Sequence, residues 1–215
     1  MENSKGYFDH VAGQWDTMRE SFFSESVRDK AMSVAAVLPG KLAADIGAGT
    51  GFISEGLVLR GLKVIAVDQS EGILAEMKKK FADSDAIDYR LGEAENLPID
   101  DESVDYVFAN MLLHHAENPG AAIAEMARIL RRGGRLVITD LDEHKFEFLR
   151  TEQHDRWMGF VRDDLRLWLA AAGLENIAVD CAGENCCAHS DCGSDYADIS
   201  IFIASGSKPE ADPPY

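Results

Sequence analysis

The sequence predicts a doubly wound α/β fold, in which helices cover both faces of a sheet of about seven strands. Three observations support this prediction. Short apolar runs alternate with segments of helical periodicity, a glycine-rich turn joins the first run to the helix after it, and the second run ends in an aspartate. Strands that alternate with helices are joined by right-handed crossovers, so the sheet is expected to be mostly parallel.

The predicted strands lie, in chain order, at 41–46, 62–68, 87–92, 104–110, 135–140, 176–181 and 198–205. The predicted helices run from the glycine-rich turn to about residue 60 and over 70–82, 121–130 and 165–174. The helix over 121–130 should end there, because basic residues occupy its last turn and Gly133 and Gly134 follow. An amphipathic stretch over roughly 7–38 is expected to cap the sheet.

Length and composition favour a single domain over residues 1–215, with a helical cap at 1–38 and a loose tail at 206–215. The 21 basic and 38 acidic residues give a net charge of −17, which repels polyphosphates. Neither nucleic acid nor an anionic membrane is therefore expected as a partner. The sequence has no secretory signal pattern and no apolar stretch of about 18–20 residues, so a soluble cytoplasmic protein is expected.

All four cysteines lie in one short segment, at Cys181, Cys186, Cys187 and Cys192. A disulfide framework would spread them along the chain, so reduced thiols are expected. Three interpretations remain open: incidental thiols on a surface loop, a zinc site that includes His189, or thiols that hold a soft group near the active site. The adjacency of Cys186 and Cys187 counts against a tetrahedral zinc site.

The segment DIGAGTG, at residues 45–51, stands where a buried strand meets a helix. Its glycines allow a sharp turn, and the first N–H groups of the helix point at a ligand there. Asp68 ends the next strand, 21 residues after Gly47, where a carboxylate can accept hydrogen bonds from the two hydroxyls of a ribose. A glycine loop alone also fits a purely structural turn, but the loop and Asp68 together favour a nucleoside cofactor.

The spacing favours S-adenosylmethionine over a nicotinamide dinucleotide. The dinucleotide pattern G-x-G-x-x-G needs a glycine at position 52, where this sequence has Phe52, since the third glycine comes one residue early. Asp45 would repel a pyrophosphate but suits an ammonium group. A nicotinamide-dependent oxidoreductase is therefore the disfavoured alternative.

Five successive motifs resemble those of class I S-adenosylmethionine-dependent methyltransferases, namely DIGAGTG, VIAVDQS, GEAENLPIDDESVD, NMLLHHAENP and LRRGGRLVITD. The resemblance covers roughly residues 40–140 and is strongest to the UbiE-like and arsenite-methyltransferase-like group. The opening YFDHVAGQWD resembles the N-terminal helix of that group. Membership would imply a Rossmann-like sheet with an antiparallel last strand, S-adenosyl-L-methionine as cofactor and S-adenosyl-L-homocysteine as product.

The resemblance also implies roles for individual residues. The loop residues Gly47, Ala48, Gly49 and Gly51 would frame the methionine part of the cofactor, with Asp45 at its amino group. Asp68 would hold the ribose, with Gln69 beside the adenine. Glu93 and the backbone of Ala94 would contact the adenine edge, and Asn110 would flank the sulfonium. Aspartate is commoner than glutamate at the position of Glu93 in the family.

Substrate contacts are expected beyond the carboxyl ends of the strands. The candidates are His114, His115, Cys186, Cys187 and Cys192, the cysteines lying in a predicted loop over 182–197. The two histidines fit equally well as packing or capping residues. His144, beside Asp142 and Glu143, is expected in a solvated turn. His154 is expected on a helix whose neighbours Glu152, Asp155 and Arg156 form surface ion pairs.

These observations predict a methyltransferase that acts on a small molecule, with no metal and no assigned catalytic residue. Methyl transfer needs a general base only when the nucleophile carries a proton of high pKa. The acceptor could be a soft group held by thiols, such as trivalent arsenic, or a quinol or phenol methylated at carbon or oxygen. A protein that binds S-adenosylmethionine or a thiophilic ion without catalysis is the remaining alternative. The oligomeric state is left open.

Overall fold

The computed structural model describes residues 6, 13, 18, 19, 22–190, 193 and 195–210. Its centre is a seven-stranded sheet of order β3-β2-β1-β4-β5-β7-β6. The strands are β1 (Leu42–Ile46), β2 (Lys63–Asp68), β3 (Ile87–Leu91), β4 (Val104–Asn110), β5 (Leu130–Leu141), β6 (Glu175–His189) and β7 (Tyr196–Ser207). The predicted fold class is confirmed.

The first five strands are parallel to one another, and β7 runs antiparallel between β5 and β6. Register pairs Asp45 of β1 with Ala66 of β2 and with Phe108 of β4. The carboxyl ends of β1, β2 and β4 therefore meet at one edge of the sheet, where a doubly wound fold binds its ligands.

The helices around the sheet include α1 (Glu25–Ala35), α2 (Phe52–Leu59), α3 (Glu71–Lys80), α4 (Pro119–Ile129), α5 (Glu147–Glu152) and α6 (Arg162–Ala171). Three of them begin at a side-chain cap, because the oxygen of Ser24, Ser70 or Asn118 accepts a backbone N–H of the first turn. None of the described helices is long and apolar enough to span a bilayer.

The core consists of two apolar layers, one on each face of the sheet. Neighbouring residues of β4 alternate between them: Phe108 packs in the layer that includes residues of α1 and α2, and Val107 packs in the layer that includes residues of α4 and α6. This alternation follows from the two-residue period of a strand. It explains why the central strands read as continuous apolar runs.

The helix before β5 ends within one residue of the predicted end and has Arg128 in its last turn, but the glycines are not what ends it. The helix stops at Ile129 because Leu130 is already extended and pairs with Val104 of β4. Gly133 and Gly134 therefore lie inside β5, which starts five residues earlier than predicted. The basic residues and glycines after Leu130 therefore belong to a strand, which follows the helix directly with no loop between them.

The predicted loop over 182–197 is also wrong. Strand β6 continues to His189, which pairs with Tyr196 of β7. The segment lacks β-branched residues, so its local sequence resembles a loop, but pairing with the apolar β7 makes it a strand. The predicted helix around His154 is wrong as well, since α5 ends at Glu152 and His154 has a φ of 59°.

The predicted helical cap is described only in part. Helix α1 accounts for residues 25–35, whereas most of the residues before Phe22 lie outside the described part of the chain. The start of the predicted loose tail is held in place, because the Lys208 backbone N–H donates to the carbonyl of Gly134 and its Nζ donates to the carbonyl of Ala127.

Candidate active site

The glycine loop between β1 and α2 has a conformation that other residues would not tolerate. Gly47 has a φ of 66°, and a Cβ placed there would lie 2.7 Å from Cδ1 of Leu112. Gly51 has a φ of 95°, and a Cβ there would lie 2.5 Å from Cε2 of Phe81. The loop is tied to the neighbouring strand because the N–H groups of Gly47 and Ala48 both donate to the carbonyl of Val67. The loop is therefore a rigid cradle at the carboxyl end of β1.

Asp45 lies beneath this loop and is fully buried. Its Oδ2 accepts hydrogen bonds from the Ser54 backbone N–H, at 2.9 Å, and from the Ser54 hydroxyl, at 2.6 Å. Burial raises the pKa of Asp45 to about 7, although the bonds from Ser54 lower it and the nearby Asp68 raises it further. A positively charged ligand group beside Asp45 would stabilise its ionised form.

Asp68 connects the loop to the next helix. Its Oδ2 accepts the N–H of Gly49 at 2.9 Å, and its Oδ1 accepts the N–H of Ser70 at 3.0 Å. Each carboxylate oxygen has a second lone pair, so a carboxylate fixed in this way can still accept hydrogen bonds from a ligand. Its position at the end of β2 is the one predicted from the sequence.

A cavity of about 520 Å³ opens above these groups, which is within the size range of small-molecule sites. Nine of the ten predicted cofactor residues line it: Asp45, Gly47, Ala48, Gly49, Asp68, Gln69, Glu93, Ala94 and Asn110. The tenth, Gly51, does not line the cavity but caps α2. We call this space the donor cavity.

Asn110 reaches the donor cavity in a fixed orientation. The Thr139 hydroxyl donates to Asn110 Oδ1 at 2.7 Å, which assigns this oxygen to Thr139. Asn110 therefore lines the donor cavity with its amide oxygen held by Thr139. An adenosyl group with an aminoacyl chain fits these residues, since carboxylates occur where the ribose and the ammonium group would lie and a backbone cradle occurs between them.

The donor cavity also has a cationic wall that was not predicted. Arg19 lines it, with the guanidinium carbon 4.4 Å from the ring centre of Phe52. Arg156 lines it as well and pairs with Glu117 at 3.2 Å. Both arginines come from outside the glycine loop and β2, so no local motif identifies them.

A second, smaller cavity of about 60 Å³ adjoins the donor cavity. Three residues, Phe23, Met111 and His115, line both cavities. The other lining residues are Phe22, His114, Leu141, Leu149, Gln153, Asp155, Cys186 and Ala188. We call this space the acceptor cavity. Its walls are mainly apolar, with a few polar groups on one side.

His114 and Asp155 form the polar side, and the buried Asp140 lies behind His114. Asp140 Oδ1 lies 2.6 Å from Nδ1 of His114, and Asp155 Oδ1 lies 3.8 Å from its Nε2. Burial lowers the pKa of His114, but the charges of Asp140 and Asp155 outweigh it and the pKa rises to about 9. Burial raises the pKa of Asp155 to about 6, an effect that His114 partly offsets.

His115 packs against His114, with 4.1 Å between the two ring centres. Burial, the charge of His114 and other nearby cations hold the pKa of His115 well below its usual range. Its ring is hydrogen-bonded to the backbone of His154. The structure therefore places both predicted histidines in the acceptor cavity, and His115 between the two cavities.

The predicted cysteines are separated by the strand that carries them. Cys186 lines the acceptor cavity, and burial together with nearby anionic groups raises the pKa of its thiol to about 12. Cys187 lies on the opposite face of β6, where it is hydrogen-bonded to Tyr196. Cys192 lies outside the described residues. Of the predicted thiols described, only Cys186 reaches the site.

Two further predictions about charged residues are wrong. Asp155 was expected in a surface ion pair, but its side chain is only 4% exposed and faces His114. Asp142 was expected in a solvated turn, but Arg162 donates two hydrogen bonds to it, at 2.7 and 2.6 Å, and the Ser200 hydroxyl donates a third. Asp142 follows β5 and Asp155 follows α5. The burial of both side chains is determined by tertiary packing and not by the local sequence.

Comparison with known proteins extends this description. Residues 44–138 match the family described as a methyltransferase domain. A demethylmenaquinone methyltransferase of Renibacterium salmoninarum is 35% identical over 147 residues, which are 67% of this chain and 61% of that protein. A malonyl-acyl-carrier protein O-methyltransferase of Methylococcus capsulatus is 38% identical over 109 residues, which are 49% of this chain and 39% of that protein. This chain therefore spans less than two thirds of the length of either relative.

Solved structures are similar in fold. A chain of phosphoethanolamine N-methyltransferase 2 from Haemonchus contortus, solved with S-adenosyl-L-methionine, has a TM-score of 0.69 at 17% identity, covering 85% of this chain and 52% of that chain. At this identity the similarity shows the fold alone. The family match covers β1 through most of β5, which include Asp45, the glycine loop and Asp68.

Proposed function

We propose that this chain transfers the methyl group of S-adenosyl-L-methionine to a small-molecule acceptor, and the match of residues 44–138 to a methyltransferase domain supports this proposal. One observation carries the proposal: the donor cavity and the acceptor cavity share the walls formed by Phe23, Met111 and His115. The part of an acceptor that enters the second cavity, whose volume is about 60 Å³, would therefore lie beside a ligand in the first.

The charges around the donor cavity match those of the donor. Asp68 would accept hydrogen bonds from the ribose hydroxyls, and Asp45 would face the ammonium group. Arg19, on the same cavity, would pair with the carboxylate of the aminoacyl end. A pyrophosphate would meet Asp45 and Asp68 instead of the free N–H groups that it needs, which argues against a dinucleotide.

When bound, S-adenosyl-L-methionine would supply a methyl group on a sulfonium. An acceptor nucleophile held behind the methyl carbon would form its bond to that carbon as the carbon–sulfur bond breaks, and S-adenosyl-L-homocysteine would be the leaving group. This chain contributes position and exclusion of water. Met111 and Phe23 form apolar walls where the two cavities meet, and Asn110, which is held by Thr139, lines the donor cavity. His114 is held by Asp140 through Nδ1, so its Nε2 side is the polar edge that orients an acceptor.

The chemistry of the acceptor cavity favours an apolar molecule that carries one acidic hydroxyl or enol. Aromatic and aliphatic side chains form most of its wall, and the polar groups His114 and Asp155 occupy one side. Quinols and phenols have this distribution of polarity. The named relatives methylate demethylmenaquinone and malonyl-acyl-carrier protein, which supports an acceptor with an acidic oxygen or carbon.

An acceptor held by thiols receives less support. Trivalent arsenic needs two or three thiolates, whereas Cys186 is the one described thiol on the cavity wall and its neighbour Cys187 faces the opposite side of β6. We therefore place a quinol or phenol first and a soft, thiol-bound acceptor second.

Two measurements test the proposal. Calorimetry with S-adenosylmethionine, S-adenosylhomocysteine and NADH should show binding of the first two only. Transfer of a labelled methyl group should then be followed to a panel of quinols, phenols, thiols and arsenite, with wild type and Cys186→Ala in parallel. Binding of NADH alone would overturn the proposal, and loss of transfer to arsenite in Cys186→Ala would reverse the order of the two acceptor classes.

A further inference from the structure

We propose that His114, His115 and Asp155 form a binding site for a divalent transition-metal ion of the zinc type in the acceptor cavity. One ligand atom from each of these three side chains lies within 4.8 Å of the others. The sequence did not predict this site, because the zinc ligands that it suggested were the cysteines and His189. This inference is independent of methyl transfer, because it concerns metal binding by the protein alone.

The separation of His114 and Asp155 suits a shared ion better than a direct bond. Their Nε2 and Oδ1 atoms are 3.8 Å apart, which is beyond hydrogen-bonding distance. Two ligands of a tetrahedral zinc ion, each about 2.0–2.2 Å from the metal, lie about 3.3–3.5 Å from one another. A shift of a few tenths of an ångström would bring the pair into that geometry.

Each histidine ring is held by a hydrogen bond at one nitrogen, as the rings of metal-binding histidines are. Asp140 Oδ1 lies 2.6 Å from Nδ1 of His114, which turns Nε2 towards Asp155. The ring of His115 is hydrogen-bonded to the backbone of His154. Metal-ligating histidines almost always use their second ring nitrogen in this way, with a carboxylate or a backbone carbonyl as acceptor.

Charge and location also favour a cation. Asp140 and Asp155, which are 0% and 4% exposed, both face His114, so two carboxylates lie around one imidazole. Three protein ligands leave one position of a tetrahedral ion open, and here it would face the acceptor cavity. An acceptor oxygen or sulfur could occupy that position beside the donor cavity. The thiol of Cys186, which lines the same cavity, is an alternative metal ligand.

The test uses Zn²⁺ and Co²⁺ as probes on the chelator-treated full chain. Wild type should bind one ion, and Co²⁺ should give the visible absorption of a tetrahedral site without a thiolate-to-cobalt charge-transfer band. Asp155→Asn should weaken Zn²⁺ binding at least 10–100-fold. His115→Gln provides a second ligand variant if Asp155→Asn does not fold. Calorimetry with S-adenosylhomocysteine on the same samples reports separately on the donor site.

The matched control is the triple variant C181S/C187S/C192S, which removes every thiol except Cys186. It should keep wild-type affinity for Zn²⁺. Failure of the wild type to bind either ion would overturn the proposal. Binding that survives Asp155→Asn and His115→Gln but is lost in the cysteine variant would also overturn it, because the metal would then belong to the β6–β7 hairpin.

Discussion

Nδ1 of His114 lies 2.6 Å from Oδ1 of Asp140, and both side chains are buried where β4 and β5 end. The same carboxylate holds the backbone around it. Its Oδ2 accepts the N–H of Leu113 at 2.8 Å, and its Oδ1 accepts the N–H of Leu141 at 2.7 Å. Asp140 therefore fixes the turn that carries His114 and His115, and with it the polar side of the acceptor cavity.

The first prediction is that Asp140→Asn lowers the free energy of unfolding by about 3–5 kcal/mol, as expected when one partner of a buried charged pair is removed. The amide nitrogen of asparagine cannot accept an N–H, so Leu113 or Leu141 loses its acceptor. Urea denaturation measures the change. Asp163→Asn is the control, because Asp163 pairs with Arg166 at an exposed site, and it should cost less than about 1 kcal/mol.

The donor half of the site was predictable from the sequence because its parts are local. A glycine loop between a strand and a helix, and an aspartate at the end of the next strand, have fixed positions once the strands are parallel and adjacent. Of the ten predicted residues, those of the loop and of the end of β2 line the donor cavity for this reason, and Glu93, Ala94 and Asn110, identified through the family resemblance, line it as well. Gly51 is the exception, since its backbone starts α2 and its missing side chain makes room for Phe81.

The acceptor half was less predictable because it depends on contacts between distant segments. Asp155 belongs to a polar segment that resembles a solvated surface, and it is buried only because the chain after α5 folds over His114. Arg19 comes from the segment before α1, where no motif marks it. Cys186 reaches the cavity because β6 is long, and that length is determined by pairing with β7.

The second prediction concerns the ribose site. Asp68→Asn should weaken binding of S-adenosylhomocysteine about 10–100-fold, since a hydrogen bond to a charged group contributes about 1.5–3 kcal/mol. Calorimetry at a temperature where both proteins are folded measures the affinities. Asp88→Asn, at an exposed aspartate that pairs with Arg90, should leave the affinity unchanged. Equal affinities of wild type and Asp68→Asn would exclude Asp68 from the donor site.

The third prediction separates the backbone strain of a glycine from its close contact. Gly40 and Gly47 have similar φ values, 78° and 66°, but only Gly47 has a neighbouring side chain where a Cβ would lie. Gly40→Ala should cost about 1 kcal/mol of unfolding free energy, and Gly47→Ala about 1–3 kcal/mol more. Because the close neighbour is Leu112, the double variant Gly47→Ala/Leu112→Ala should be less destabilised than the sum of the single variants. Additive effects in thermal or urea unfolding would show that Leu112 is not the cause.

The fourth prediction is a pH dependence that arises from Asp45. Its pKa is about 7 in the folded chain and 3.8 as the reference for the unfolded chain, so folding favours the protonated form. The contribution of Asp45 to the unfolding free energy is therefore greatest below pH about 4, decreases as the pH rises to about 7, and is constant above that.

Asp45→Asn removes this titration. The unfolding free energy of wild type minus that of the variant should fall by on the order of a few kcal/mol between pH about 4 and about 7.5. Urea denaturation at several pH values gives both curves. The same difference for Asp88→Asn should change by less than about 1 kcal/mol. A constant difference for Asp45→Asn would mean that Asp45 is ionised throughout this range.

The last prediction concerns the attachment of α1 to the edge of the sheet. Glu184 on β6 accepts the backbone N–H of Ser24 at 3.2 Å and the Ser24 hydroxyl at 2.6 Å, and the Ser26 hydroxyl donates to it as well. The backbone N–H of Cys187 donates to the carbonyl of Phe22 at 3.1 Å. These bonds hold the segment that places Phe22 and Phe23 on the wall of the acceptor cavity.

Glu184→Gln should therefore loosen this wall while leaving the fold intact. A glutamine has one acceptor oxygen where the carboxylate has two, so at least one donor from Ser24 or Ser26 loses its partner. We expect the Cys187 amide to exchange with solvent deuterium about 10-fold faster, and the global unfolding free energy to fall by less than about 1 kcal/mol. Glu175→Gln, at the start of the same strand, should change neither. An unchanged exchange rate at Cys187 in Glu184→Gln would show that the apolar contacts of Phe22 and Phe23 hold the segment without Glu184.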